Sequence, residues 1–159
     1  MIFLIRNRDA PVLELRSDGI LAPGVHAATF DEVVELFGRT ARRRALALKL
    51  GRLVHVARRC GIVREIYVDG SFVTDKADPG DIDIILGIED LPEQPNSLDV
   101  RERTSRVRRL HKCGRELHVF AFPHADWKFE DMLGWFCSRR TEEGGGEKGI
   151  VRLVGWENA

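Results

Sequence analysis

The spacing of hydrophobic residues and the positions of capping residues predict four helices. From Thr40 to Cys60, apolar residues recur every three or four positions while arginines and lysines take most of the others, which is the pattern of an amphipathic helix. Thr29 followed by Glu32 forms a capping box, so a shorter helix is expected to begin there and to end at Gly38. Two further helices are predicted, one from Asn96 or Ser97 to Cys113 and one from Asp126 to Arg140.

Short runs of β-branched and aromatic residues predict the strands. They cover Ile66 to Val68, Ile82 to Leu86, Leu117 to Phe122 and Ile150 to Val154. The opening segment from Met1 to Gly24 is expected to form short strands or extended chain, and residues 142–146 a flexible loop. Because helices and strands do not alternate strictly, the order favours an α/β or α+β fold in which helices flank a mixed sheet. We expect residues 1–159 to form one domain.

The composition narrows the class of protein. With 159 residues, of which 43% are hydrophobic and 31% charged, the chain is long enough for a core and unlike a disordered segment. The 25 Lys and Arg balance the 25 Asp and Glu, which excludes binding of nucleic acid by overall positive charge. The three cysteines are odd in number and widely separated, and no apolar run is long enough to span a membrane. We therefore expect a cytoplasmic protein with no membrane contact.

Two aspartates at the start of a predicted strand are the first candidates for chemistry. Residues two apart on a strand point to the same side, so Asp81 and Asp83 would present both carboxylates on one face. Such a pair is tolerated if it is exposed to water, if one member is protonated, or if a divalent cation lies between the two. Since magnesium prefers carboxylate oxygens, a metal site is the sharper of these interpretations.

The segment before this strand contains the residues of a phosphate site. Gly70 and Ser71 directly follow a predicted strand, where a glycine lets the backbone approach a ligand and a hydroxyl with free amides can hold phosphate oxygens. Lys76 could supply a further positive charge to a triphosphate. The same stretch has an ordinary interpretation, because Asp69 and Gly70 are a strong hairpin signal and residues 78–81 are typical of a turn.

The combined motif resembles that of a known superfamily. Gly-Ser, nine residues and then Asp-x-Asp in an apolar strand is similar to the signature of the DNA polymerase beta-like nucleotidyltransferases, in particular the small minimal nucleotidyltransferases of bacteria and archaea. The longer string G-S-F-V-T-D-K-A-D-P-G-D-I-D, from Gly70 to Asp83, resembles a group of small bacterial nucleotidyltransferase-like proteins. The L-A-P-G-V-H segment that begins at Leu21 and the helix before the motif are similar to that group as well.

This resemblance implies a reaction and its cofactor. Members transfer a nucleoside monophosphate from a nucleoside triphosphate (NTP) to a hydroxyl, and the acceptor here would be RNA, a protein or a small molecule. Asp81 and Asp83 would bind Mg²⁺ or Mn²⁺, and Gly70 and Ser71 would contact the triphosphate. Two metal ions about 3.5 to 4 Å apart stabilise both the attacking and the leaving oxygens of such an in-line displacement.

One position departs from the superfamily's pattern. Active members usually carry a third acidic residue on a later strand, and His118 stands at the matching position of this chain. Histidine is a poor magnesium ligand but a good general base near neutral pH. Glu116 would share a strand face with His118 and is the alternative catalytic residue. A half-buried histidine bonded to backbone is the ordinary interpretation of His118.

The departure at His118 opens a second hypothesis. The chain could be a catalytically degenerate binding module of the same fold, and since several small nucleotidyltransferase-like proteins of bacteria are halves of toxin–antitoxin pairs, its partner would be a protein. RNA binding through the arginines of residues 101–109 is a weaker alternative, for which a solvated helix face is the simpler explanation.

Lys148, after a glycine-rich loop, is a candidate phosphate contact. The aromatic residues of the last helix, Trp127, Phe129, Trp135 and Phe136, are expected in the core, and the alternative is that Trp135 with Met132 marks a groove for a partner.

Overall fold

The computed structural model describes residues 13–138 and 144–157 and shows an α+β fold. Within these residues, five strands form a mixed sheet and four helices flank it, which confirms the predicted fold class. In chain order the elements are β1 Gly24–Ala28, α1 Phe30–Phe37, α2 Ala41–Cys60, β2 Val63–Asp69, β3 Ile82–Ile88, α3 Ser97–His111, β4 Leu117–Pro123, α4 Trp127–Phe136 and β5 Gly149–Leu153. A short 3-10 turn, Ser71–Val73, follows β2.

The first helix begins at its predicted cap, and the second covers the range predicted from its periodicity. The Thr29 hydroxyl accepts a hydrogen bond from the Glu32 amide at 3.3 Å, and the Glu32 carboxylate accepts one from the Thr29 amide at 2.8 Å. This capping box pairs two amides that α1 would otherwise leave without partners. Thr40 caps α2, and Gly61 ends it in the left-handed conformation with a φ of 69°.

The order of strands in the sheet is β1-β5-β2-β3-β4. β1 runs parallel to β5 and β3 runs parallel to β4, whereas β2 is antiparallel to both of its neighbours, β5 and β3. The end of β2 therefore lies at the same edge of the sheet as the beginnings of β3, β4 and β5. Every candidate site residue on these strands is brought to that edge.

The two faces of the sheet carry cores of different size. The larger core packs α1, α2 and α3 against one face. The smaller cluster packs α4 against the other face, and its buried members are Tyr67, Ile85, Phe129, Phe136 and Ile150. Successive strand residues alternate between the two clusters, as Ile84 and Ile85 do, because their side chains point to opposite faces.

Several elements differ from the prediction. β2 starts at Val63, earlier than the predicted Ile66, and β1 was not predicted at all. α4 ends at Phe136 rather than at Arg140, because Ser138 forms an antiparallel bridge with Glu147. Predictions that fall on residues 1–12 and 139–143 lie outside the described residues.

Two of the aromatic residues assigned to the core are on the surface. Phe129 and Phe136 are buried as expected, but Trp127 and Trp135 are 70% and 60% exposed. The prediction was wrong for both tryptophans because α4 contacts the sheet through a narrow strip of its surface. In the described part of the chain, no helix is both long and apolar enough to cross a membrane.

Candidate active site

The edge at which four strand ends meet opens into a cleft of about 700 Å³. Six of the seven predicted site residues line it, namely Gly70, Ser71, Lys76, Asp81, Asp83 and His118. Lys148, predicted as a candidate phosphate contact, lines the same cleft, and so does Asp69, which the sequence did not single out.

The alternation of side chains along the strands explains why polar groups meet here. Tyr67, Ile85 and Ile150 are buried on the face that α4 covers. A residue two positions nearer the edge points to the same face. Those residues are Asp69 on β2, Asp83 on β3 and Lys148 just before β5. The cleft is thus the polar continuation of the smaller core.

Asp81 and Asp83 both lie close to one imidazole. His118 Nδ1 is 3.2 Å from Asp83 Oδ1 and 3.7 Å from Asp81 Oδ2. Asp83 and His118 are also register partners on the parallel strands β3 and β4, which fixes their proximity. Burial and the neighbouring charge of Asp81 raise the pKa of Asp83 above its ordinary value, although His118 and Lys148 act in the opposite direction. A cation in the cleft would therefore stabilise the ionised Asp83.

Gly70 is required by the geometry of the turn after β2. Its φ is 84°, and a Cβ atom there would lie 2.8 Å from Asp83 Oδ2, so any larger residue would be strained and would press on that carboxylate. Ser71 follows at the start of the 3-10 turn. Because this turn and a loop join β2 to β3, the alternative of a two-residue hairpin at Asp69 and Gly70 is wrong.

A buried arginine holds the segment that carries Lys76. Arg43 on α2 is only 5% exposed. Its guanidinium donates hydrogen bonds to the backbone carbonyls of Phe37, Phe72, Thr74 and Lys76. Removal from water lowers the pKa of Arg43, and these carbonyl dipoles compensate the buried charge. Lys76 itself is exposed and lines the cleft.

Asp69 and Lys148 form an ion pair that the sequence did not reveal. Lys148 Nζ donates to Asp69 Oδ2 at 2.7 Å, and Asp69 is 1% exposed. The other oxygen, Oδ1, is buried without a hydrogen-bond partner among the described residues. Burial raises the pKa of Asp69, while Lys148 opposes this. In the sequence, Asp69 is distinguished only as a charged residue at the end of an apolar strand. Nothing near it indicates its partner Lys148, which lies 79 residues away.

Glu116 is not brought to the cleft. β4 begins at Leu117, so the prediction that Glu116 shares a strand face with His118 is wrong. The Glu116 carboxylate forms ion pairs with Lys49 and Arg42 of α2, and hydrogen bonds from Lys49 and then Arg42 lower the pKa of Glu116. Arg42 also donates to the carbonyl of Pro79 at 3.1 Å. Glu116 thus ties α2 to the segment before β4, and Arg42 ties α2 to the loop before β3.

The chemistry of the cleft suits a hard divalent cation. Asp81 and Asp83 offer carboxylate oxygens at the cleft wall, and burial together with the charge of Asp81 raises the pKa of Asp83. Within residues 13–138 and 144–157, no group of three or more His, Cys, Asp or Glu is arranged to hold a metal ion. A cation would thus be held by the aspartate pair, with water or phosphate oxygens as its remaining ligands, which is the usual arrangement for Mg²⁺.

Comparison with known proteins identifies the family of this chain. A search of the curated proteins found no match, and neither did a search of the solved structures. A family model does match, and it covers residues 13–154, which include every helix and strand named above. The model is that of DUF6932, described as a family of unknown function. The chain therefore belongs to the family DUF6932.

Proposed function

We propose that this protein is a metal-dependent nucleotidyltransferase, which moves a nucleoside monophosphate from an NTP to a hydroxyl of RNA, of a protein or of a small molecule. One observation carries the proposal: the Gly-Ser turn, the Asp-x-Asp pair and His118 line a single cleft. Its volume of about 700 Å³ falls within the range of roughly 300 to 1,000 Å³ that is usual for small-molecule sites.

The cleft provides groups for a triphosphate. The Ser71 hydroxyl and the backbone amides of the 3-10 turn can donate hydrogen bonds to phosphate oxygens. Lys76 and Lys148 supply positive charge at the cleft wall. Mg²⁺ or Mn²⁺ held by Asp81 and Asp83 would neutralise charge that develops on the transferred phosphoryl group.

We assign proton transfer to His118. A carboxylate beside an imidazole orients the ring and stabilises its charged form, and Asp83 is 3.2 Å from His118 Nδ1. The acceptor oxygen forms a bond to the α-phosphorus, the bond to pyrophosphate breaks, and the hydroxyl proton passes to the imidazole. In this way a histidine takes the part that the resemblance gives to a third acid.

We place the reaction in the cytoplasm. Cys60, Cys113 and Cys137 are all free thiols, which is the state that a reducing compartment maintains. The cytoplasm also supplies the NTP.

Labelled nucleotides and matched variants test the proposal. The protein is incubated with each α-labelled NTP, with Mg²⁺ or Mn²⁺, and with RNA or host lysate as the source of acceptor. We expect label transfer and metal-dependent NTP binding, both lost in Asp81→Asn and in Asp83→Asn. Asp78→Asn is the control, because Asp78 belongs to the same segment and its side chain is 83% exposed. Metal-dependent binding that survives in both cleft variants would contradict the proposal.

The presence of a histidine at position 118, where the resemblance implies an acid, favours a second candidate function. A protonated imidazole at 3.2 and 3.7 Å from the two aspartates would balance part of their charge without a metal ion. The protein would then be a non-catalytic module that binds a protein partner, as in a toxin–antitoxin pair. Capture of one stoichiometric protein from the native host, with no NTP turnover and no metal-dependent NTP binding, would favour this function over the first.

A further inference from the structure

The aromatic wall of the cleft has no role in the phosphate chemistry described above. Phe120, Trp135 and Phe136 line the same cleft as the aspartates. Trp135 is 60% exposed, whereas its neighbour Phe136 is 5% exposed. Trp135 therefore presents an exposed indole surface to the cleft.

The indole of Trp135 packs against the buried ring of Phe136. The Trp135 and Phe136 rings meet edge to face, with centroids 4.8 Å apart and an interplanar angle of 89°. Phe136 in turn packs against Phe120 of β4, with centroids 5.5 Å apart. Edge-to-face packing of this kind is favourable for aromatic pairs. Trp135 is therefore a positioned ring and not a loose surface side chain.

The cleft consequently has two chemically different parts. His118 and Phe120 are two residues apart on β4 and point to the same face, so the aromatic part begins directly beside the aspartate pair. One part carries carboxylates, two lysines and the Gly-Ser turn, and the other carries three aromatic rings. A ligand that fills both must combine a polyanion with a flat apolar group, and a nucleotide has this combination.

We infer that Trp135 is the stacking platform for the nucleobase of the NTP. This inference rests on the proposed function and adds the residue that binds the base. Stacking on an indole tolerates every base, because each has a π face. The inference therefore predicts binding of more than one NTP, with Trp135 contributing to each.

Calorimetric titrations in Mg²⁺ with each of ATP, GTP, CTP and UTP, and with inorganic tripolyphosphate, test the inference. Trp135→Ala should weaken binding of the NTPs by about 5- to 100-fold and leave tripolyphosphate binding unchanged. Trp135→Phe, which keeps a stacking ring, should retain most of the affinity. Trp127→Ala is the matched control, because Trp127 lies on the same helix, is 70% exposed and does not line the cleft. Circular dichroism checks that each variant is folded.

The outcomes separate this inference from the proposed function. If Trp135→Ala binds the NTPs as the wild type does, while Asp81→Asn does not, the base-stacking role is overturned and the proposed function stands. An equal loss for NTPs and tripolyphosphate also overturns it, because the effect would not depend on the base. If the wild type binds no NTP at all, both fail. In that case, capture of a protein by the wild type and not by Trp135→Ala would identify the ring as a protein contact.

Discussion

Asp69 is almost completely buried, and a single lysine compensates its charge. The Asp69 carboxylate is 1% exposed and pairs with Lys148 at 2.7 Å. Burial raises the pKa of Asp69, so the folded protein binds this proton more tightly than the unfolded chain does. The stability that comes from this preference is present at low pH and is lost as the pH rises through the raised pKa. Lys148 limits the loss because its charge favours the ionised carboxylate.

Lys148→Met should therefore destabilise the protein more at neutral than at acidic pH. Without the lysine the pKa of Asp69 rises further, and the ionised carboxylate is left without a counter-charge at a cost of about 3 kcal/mol near pH 7. The loss of stability should become smaller as the pH is lowered from neutral into the acidic range, where Asp69 becomes protonated. Urea denaturation at several pH values across this range measures the difference in unfolding free energy between the variant and the wild type. The double variant Asp69→Asn, Lys148→Met has no charge at either position and should lack the additional pH dependence. A loss of stability in Lys148→Met that does not change with pH would contradict the role of Lys148 as the counter-charge of Asp69.

Gly70 is the residue whose replacement should disturb the cleft most directly. The positive φ and the 2.8 Å approach to Asp83 Oδ2 mean that Gly70→Ala costs about 1 to 3 kcal/mol in backbone strain and shifts the Asp83 carboxylate. We expect weaker metal-dependent NTP binding in a protein that still folds, measured by calorimetry and thermal unfolding. Gly80→Ala is the control, since a Cβ there meets nothing within 4 Å. Equal NTP affinity in the two variants would show that the close approach is unimportant.

At the scale of elements, local signals located the helices, whereas long-range pairing decided the strands. Capping and helical periodicity are properties of neighbouring residues, so α1 begins after the predicted cap Thr29 and α2 covers the range predicted from its periodicity. β1 has the sequence Gly-Val-His-Ala-Ala, which has little β propensity. It becomes a strand because it pairs with β5 near the other end of the chain, and no window of sequence contains that information.

The same distinction applies to the candidate site. Asp81 and Asp83 could be found because their relation is a two-residue spacing along the chain. The pairing of Asp69 with Lys148 depends on β2 and β5 being neighbours in the sheet. Glu116 was misplaced because it precedes β4, which begins at Leu117, and its carboxylate pairs instead with Lys49 and Arg42 of α2.

Arg43 of α2 holds the loop that forms one wall of the cleft. Its guanidinium is buried and bonds to four backbone carbonyls, three of which belong to residues 72–76. Arg43→Met leaves these carbonyls without their charged donor, so we expect a loss of about 3 kcal/mol in stability and weaker tripolyphosphate binding. Arg44→Met is the matched control, since Arg44 is exposed and donates to the carbonyl of Arg39 at 3.3 Å. Indistinguishable stability of the two variants would refute this role for Arg43.

At the scale of the molecule, the two faces of the sheet are unequally supported. α2 buries six residues in the larger core, whereas α4 buries only Phe129 and Phe136 in the smaller cluster. Local opening requires less free energy where fewer buried contacts are broken. α4 therefore belongs to the less stable side of the fold. It also carries Trp135, the ring that we infer to bind the base, so the opening of α4 and occupancy of the cleft should be linked.

Hydrogen exchange followed by mass spectrometry measures this linkage. In the free protein, amides of α4 should exchange before those of α2 and β3, because α4 can open while the larger core stays intact. An NTP with Mg²⁺ should slow exchange in α4 and leave α2 nearly unchanged. Phe129→Leu should accelerate exchange in α4 alone, since the Phe129 ring packs against Gly87 of β3 and a smaller side chain leaves part of that contact empty. Simultaneous exchange of α4 and α2 in the free protein would show that the two faces unfold as one unit, and ligand binding could not then act on α4 separately.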